Sequence, residues 1–139
     1  MKPINVILIT IILVVSAVFL SFKGYDSWKY YEVTNINVFV EIDPLRSGIA
    51  GDTDGLRFGV IPPDGSSSKW IDLYNKYEGP VTIEIIVLGE MNGWISHNSP
   101  KEVLLPGQNR TVEFVVSPPE KTLPGNYSSI VKVKFRKVR

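Results

Sequence analysis

RTVEFVVSPPEKTLPGNYSSIVKVKFRKV, residues 110–138, decides the fold. In its first part Val112, Phe114 and Val116 alternate with Thr111, Glu113 and Val115. In its last part Val131, Val133 and Phe135 alternate with Lys132, Lys134 and Arg136. A period of two puts one set of side chains on a buried sheet face and the other on the opposite face. The PPEKTLPGN between them carries three prolines and a glycine and predicts a loop.

Working toward the N-terminus, the same pattern recurs. VTIEIIVLG (81–89) places Val81, Ile83, Ile85 and Val87 on one face; Ile86 and Leu88 on the other predict partial cover on both sides. EVLL before Pro106-Gly107, and Trp94-Ile95, predict short extended segments. FGVIPPDGSSSKWIDLYN (58–75) holds two strands separated by Pro62-Pro63 and an Asp-Gly turn. INVFVEI (36–42) alternates Ile36, Val38, Val40 and Ile42 with Asn37, Phe39 and Glu41. Pro/Gly punctuation with about seven short strands predicts an all-β, seven-stranded antiparallel β-sandwich of about a hundred residues.

Ahead of this lies INVILITIILVVSAVFLSF, in a run from Pro3 to Phe22 without a charged residue. About twenty helical residues cross a hydrocarbon core of about 30 Å. A cleaved signal peptide has a shorter apolar region and small residues after it, whereas FLSFKGYD offers Phe and Lys there. The expectation is therefore an uncleaved, single-pass transmembrane signal anchor at 1–23, a juxtamembrane linker at 24–33 and the β-sandwich at 34–139. Lys2 on one side and Lys23 and Lys29 on the other, offset by Asp26 and Glu32, leave orientation undecided by charge. Tyr25, Trp28, Tyr30 and Tyr31 suit the headgroup interface.

The chain of 139 residues has room for one domain, and a net charge of +1 gives a nucleic-acid partner no support. Absence of cysteine excludes disulfides, thiolate catalysis and cysteine metal sites. No cofactor motif occurs. The serines at 66–68 are turn residues, since a nucleophile needs a base and an orienting group beside it. His97, the one histidine, has no recognisable companion. Asp52 and Asp54 in AGDTDG, with Asp43 nearby, form only a partial calcium loop. Glu84, Glu90, Glu102 and Glu113 are the carboxylates to weigh for glycosidase-type pairs, and Glu84 and Glu113 should face solvent. Asn109-Arg110-Thr111 and Asn126-Tyr127-Ser128 are glycosylation sequons. The C-terminal VKVKFRKVR offers Lys132, Lys134, Arg136, Lys137 and Arg139 to anionic lipid, protein or glycan. Alternatively these cations guard a terminal edge strand, or that edge accepts a partner strand.

Taken together, the strand and Pro/Gly turn ending in Leu73-Tyr74-Asn75, then Trp94, Pro100, Leu105, Pro106-Gly107, Thr111-Val112, Phe114 and Pro124-Gly125-Asn126-Tyr127, resemble a known pattern. It is that of the immunoglobulin-like domains of archaeal and bacterial envelope proteins, of the alpha-galactosidase-associated and cell-adhesion-like types. The resemblance spans Leu56 to Phe135 and implies fold more than function. The plan of one span plus one β-sandwich is also similar to that of archaellar stator proteins. It implies a non-enzymatic, extracytoplasmic protein of the cell membrane that supports an S-layer, pilus or archaellum-type partner. The alternatives are a glycan-binding module, which requires exposed rings among Trp70, Tyr74 and Tyr77, and an accessory subunit of a membrane complex.

Overall fold

The computed structural model describes residues 3–48, 55–99 and 101–138. Its first element, α1 (Pro3–Lys29), is exposed at every residue from Pro3 to Tyr25. Proline suits the first helical position, where its missing N–H costs nothing. Thr10, Ser16 and Ser21 each donate to the carbonyl four residues back, at 2.8 Å, so these hydroxyls need no water. The stretch Pro3–Tyr25 has a mean hydropathy of 2.8. At 1.5 Å per residue it is about 34 Å long, enough to cross a bilayer core. By length and composition it fits a signal anchor or a signal sequence.

Eight strands follow: β1 (Tyr30–Ile42), β2 (Leu56–Ile61), β3 (Ser67–Tyr74), β4 (Val81–Gly89), β5 (Ile95–His97), β6 (Val103–Leu104), β7 (Asn109–Val116) and β8 (Gly125–Lys137). One sheet runs β2-β1-β8-β4-β6 and the other β3-β7-β5. A single apolar cluster joins them. Val38, Val40, Val131, Val133 and Phe135 from the larger sheet meet Val112, Phe114, Val116 and Ile95 from the smaller. The alternating sets read from β7 and β8 are those buried here.

Three expectations are corrected. The described residues form eight strands, because both short segments, β5 and β6, pair with neighbours. The larger sheet is mixed: β1 and β2 run parallel, Val38 opposite Leu56 and Ile42 opposite Ile61. After Ile42 the chain doubles back and enters β2 beside the start of the paired stretch. Gly55 makes this entry possible, because a Cβ there would collide with the Asn37 carbonyl. Gly48 then exchanges two backbone hydrogen bonds with Val60 across the outer edge of β2. Finally, β8 is no edge strand: it lies between β1 and β4. Its lysines therefore cannot guard an edge, since Ser129–Arg136 is paired on both sides and has no free edge to offer a partner strand.

Residues 24–33, read from sequence as a linker, are the last turns of α1 and the first residues of β1. In the turn of the quoted 58–75 segment, Gly65 N–H donates to Pro62 C=O at 2.9 Å and Asp64 takes a φ of 61°. Positive φ at the third position is a type II feature that Asp tolerates. At the start of β8 the Tyr127 hydroxyl donates to the Leu123 carbonyl at 2.8 Å, and its ring packs on Trp94 with centroids 4.9 Å apart. Such a hydroxyl, bonded a few residues upstream, is a tyrosine corner.

Asn75 holds the base of the structure together and is fully buried. Its Nδ2 donates to the carbonyls of Gly79 at 3.0 Å and Leu104 at 2.9 Å, and its Oδ1 accepts from Tyr77 N–H at 3.0 Å. Its backbone bonds Gln108 and Gly107. One amide thus ties the end of β3 to β6 of the other sheet.

Candidate functional site

Two surfaces concentrate chemistry. The first is a collar where α1 enters the β domain. A bulge at Tyr31 interrupts the β1–β8 register, with Tyr30 opposite Arg136 but Glu32 opposite Phe135. A bulge re-aims side chains, and Tyr31 stacks on Tyr77 with centroids 4.4 Å apart and planes 6° from parallel. Gly79 gives the Tyr31 hydroxyl its space: a Cβ there would lie 2.6 Å from it. Tyr77 also meets the edge of Phe135 at 5.9 Å.

Glu32 is the acceptor of this collar. It takes hydrogen bonds from Tyr77 Oη and, at 3.1 Å, from Thr34 Oγ1, and pairs with Lys76 Nζ at 2.7 Å. Lys76 and then Tyr77 hold its carboxyl down to a pKa of about 2. Burial, then the bond to Glu32, pushes the Tyr77 hydroxyl up to about 12. On the outward side, Tyr30 Oη donates to Glu84 at 3.1 Å while Lys134 Nζ lies 4.9 Å from its ring centre. Lys137 Nζ lies 4.8 Å from the ring centre of Tyr31. Beside them opens a groove of about 480 Å³ lined by Tyr25, Trp28, Lys29, Thr82, Arg136, Lys137 and Val138.

The second surface is the outer face of the three-stranded sheet. Ile71 and Leu73 turn inward, so period two sends Trp70, Asp72 and Tyr74 outward. Trp70 is 62% exposed and Tyr74 55%. Four residues along a strand set the rings about 13 Å apart. Opposite them on β7 lie Glu113, Thr111 and Asn109, and Thr111 Oγ1 donates to Asp72 at 2.5 Å. Tyr77, named with these rings from sequence, belongs to the collar instead.

The remaining candidates are dispersed. Glu84 is bonded to Tyr30, Glu90 accepts from Ser128 N–H at 3.0 Å, Glu102 pairs with Arg110 at 2.6 Å, and Glu113 lies opposite Trp70. His97 lies 6.0 Å from Phe114, accepts from Ser99 N–H at 3.3 Å, and has its pKa lowered by burial. Asp43 accepts from Leu45 N–H at 2.9 Å and pairs with Arg46 at 2.7 Å. Asp52, Asp54, Pro100 and Arg139 lie outside the described residues. Among the described residues no cluster of three metal-ligating side chains occurs. Asn109 and Asn126 are exposed, on β7 and β8. Lys132, Lys134 and Arg136 share the outward face of β8. The collar was missed from sequence because Tyr31, Glu32, Lys76 and Tyr77 are brought together by the bulge and the turn after β3; only their aromatic content was a signal.

The chain is thus a β-rich domain of two sheets after one N-terminal apolar helix. No protein-family model, curated protein or solved structure matches it, so its family is not identified.

Proposed function

We propose that this is a non-enzymatic, single-pass membrane protein whose β domain, of immunoglobulin-like sandwich type, lies outside the cytoplasm and contacts or supports another cell-envelope component. An S-layer, pilus or archaellum-type assembly is the class of partner. The observation that carries the reading is the exposed apolar α1 passing without a loop into β1, an interior strand of the larger sheet. The Tyr127 corner and the shared core of the two sheets support the sandwich type.

Topology is the test. Ser66 is exposed in the turn after β2, and the chain has no cysteine to compete with one placed there. Ser66→Cys should react with a membrane-impermeant maleimide in intact cells. Labelling only after lysis would sink the extracytoplasmic reading. Crosslinking in membranes should then recover an envelope protein; recovering none would remove the partner.

A second reading, glycan binding, is favoured by the exposure of Trp70 and Tyr74 on one face with Asp72 and Glu113. Sugar C–H faces pack on aromatic rings while hydroxyls bond to carboxylates. Retention on insoluble cell-wall glycan that survives Trp70→Ala would argue against it.

A further inference from the structure

We infer that the groove between the end of α1 and strands β4 and β8 is a binding site for the headgroup of an anionic phospholipid. The inference rests on the membrane-anchor reading. Depth comes first. The apolar stretch ends at Tyr25, which is also the first residue lining the groove. Trp28 and Lys29 follow within about 6 Å along the helix axis. The polar layer on each side of a bilayer is about 5–7 Å thick. The groove therefore sits at headgroup depth, and Tyr25 and Trp28, 57% and 56% exposed, are the amphipathic rings favoured there.

Charge comes second. Lys29, Arg136 and Lys137 line the groove from two elements, and none of its described lining residues is acidic. Among the described carboxylates nearby, Glu84 is bonded by Tyr30, and Glu32 by Lys76, Tyr77 and Thr34. Thr82, opposite Arg136 on β4, adds a hydroxyl donor. A guanidinium donates in a planar fork matched to phosphate oxygens, and the ammonium groups of Lys29, beside the Tyr25 and Tyr30 rings, and of Lys137, over Tyr31, add point charge next to it. This arrangement suits a phosphodiester carrying a net negative charge and gives no advantage to a zwitterionic headgroup.

The test uses the purified full-length chain in mild detergent, titrated with phosphatidylglycerol or phosphatidylcholine and read by native mass spectrometry. Phosphatidylglycerol should occupy one site at least tenfold more tightly. Each removed charge should cost about fivefold in that affinity. Arg136→Gln should thus lose about fivefold, and Lys29→Gln/Arg136→Gln/Lys137→Gln should abolish the preference. Lys101→Gln/Lys121→Gln, away from the groove, should keep it. Equal binding of both lipids, or an unchanged preference in Arg136→Gln and the triple variant, would overturn the inference. So would displacement of phosphatidylglycerol by millimolar inorganic phosphate, which would assign the groove to free phosphate. Flotation of the wild-type chain with neutral vesicles is the separate check on the anchor. Its failure removes the anchor reading, whereas flotation without lipid preference removes only the headgroup site.

Discussion

Replacing Asn75 with alanine deletes three side-chain hydrogen bonds at a position with no solvent access. The carbonyls of Gly79 and Leu104 and the N–H of Tyr77 lose their partner. Each buried group left unpaired costs about 1–3 kcal/mol. Neighbouring turns relax in part, so the total expected is about 3–5 kcal/mol, a large share of the 5–15 kcal/mol typical of a domain. At about 4–8 °C per kcal/mol, the melting temperature should fall by about 12–40 °C. Asn75→Asp should be worse at neutral pH. It keeps the acceptor for Tyr77 but turns a carboxylate oxygen toward two carbonyl oxygens in a buried site. Such a carboxyl has a folded pKa raised above its unfolded value near 4. Its stability is therefore retained below that value and lost as pH rises through the folded pKa. Urea unfolding of wild type and both variants, from pH 4 to 8, reads this directly. The reasoning is refuted if Asn75→Ala costs less than about 1 kcal/mol, or if Asn75→Asp gains on Asn75→Ala as pH rises.

The collar titrates at both ends of the pH scale. Glu32, with its pKa lowered to about 2, contributes stability above its ordinary value of 4.5, lost as pH falls from there through 2. Its side chain is 37% exposed, so Glu32→Gln should cost only about 0.5–1 kcal/mol at pH 7. That variant should also flatten the acid limb of the stability profile; an unchanged limb would assign it to other carboxylates. Tyr77, raised to about 12, contributes stability below 10 that is lost as pH rises through 12. Tyr77→Phe should remove that alkaline limb in a circular-dichroism titration. Gly55→Ala should destabilise by about 2–3 kcal/mol, because the Asn37 backbone must move; a urea midpoint equal to wild type would disprove the close approach. Trp70→Ala/Tyr74→Ala should leave the melting temperature within about 2 °C, while removing any retention on insoluble glycan.

The strands that bury one apolar set were legible. Period two in 110–117 and 127–138 named the buried residues of β7 and β8; the outward face of Trp70 and Tyr74 was only a requirement of the glycan reading, because WIDLY mixes apolar residues on both faces. Residues 30–33 were not legible as strand because their polarity is inverted. Glu32 and Thr34 lie on the inward set while Val33 is 45% exposed, and the bulge at Tyr31 breaks the period. Strand direction and order leave no mark on periodicity, so the parallel β1–β2 pair was invisible. The interior position of β8 was invisible too, because lysines alternating with valines look alike on an edge and on a solvated sheet face. Asn75 was visible only as a matching letter; its role needed partners up to 29 residues away.

The larger sheet joins the first strand of the domain to the last. Tyr30–Ile42 pairs along its length with Gly125–Lys137, nearly the whole domain later in the chain. At a synthesis rate of about 5–20 residues per second, β1 waits roughly 5–20 s before its principal neighbour exists. Hairpins within the intervening chain cannot complete the sheet, since β4 also needs β8 as its neighbour. Closing so long a loop is slow, and the larger sheet cannot close until β8 emerges. A nascent chain held open in this way stays threadable through a narrow channel until its last strand is delivered, after which the sheet can close in one step.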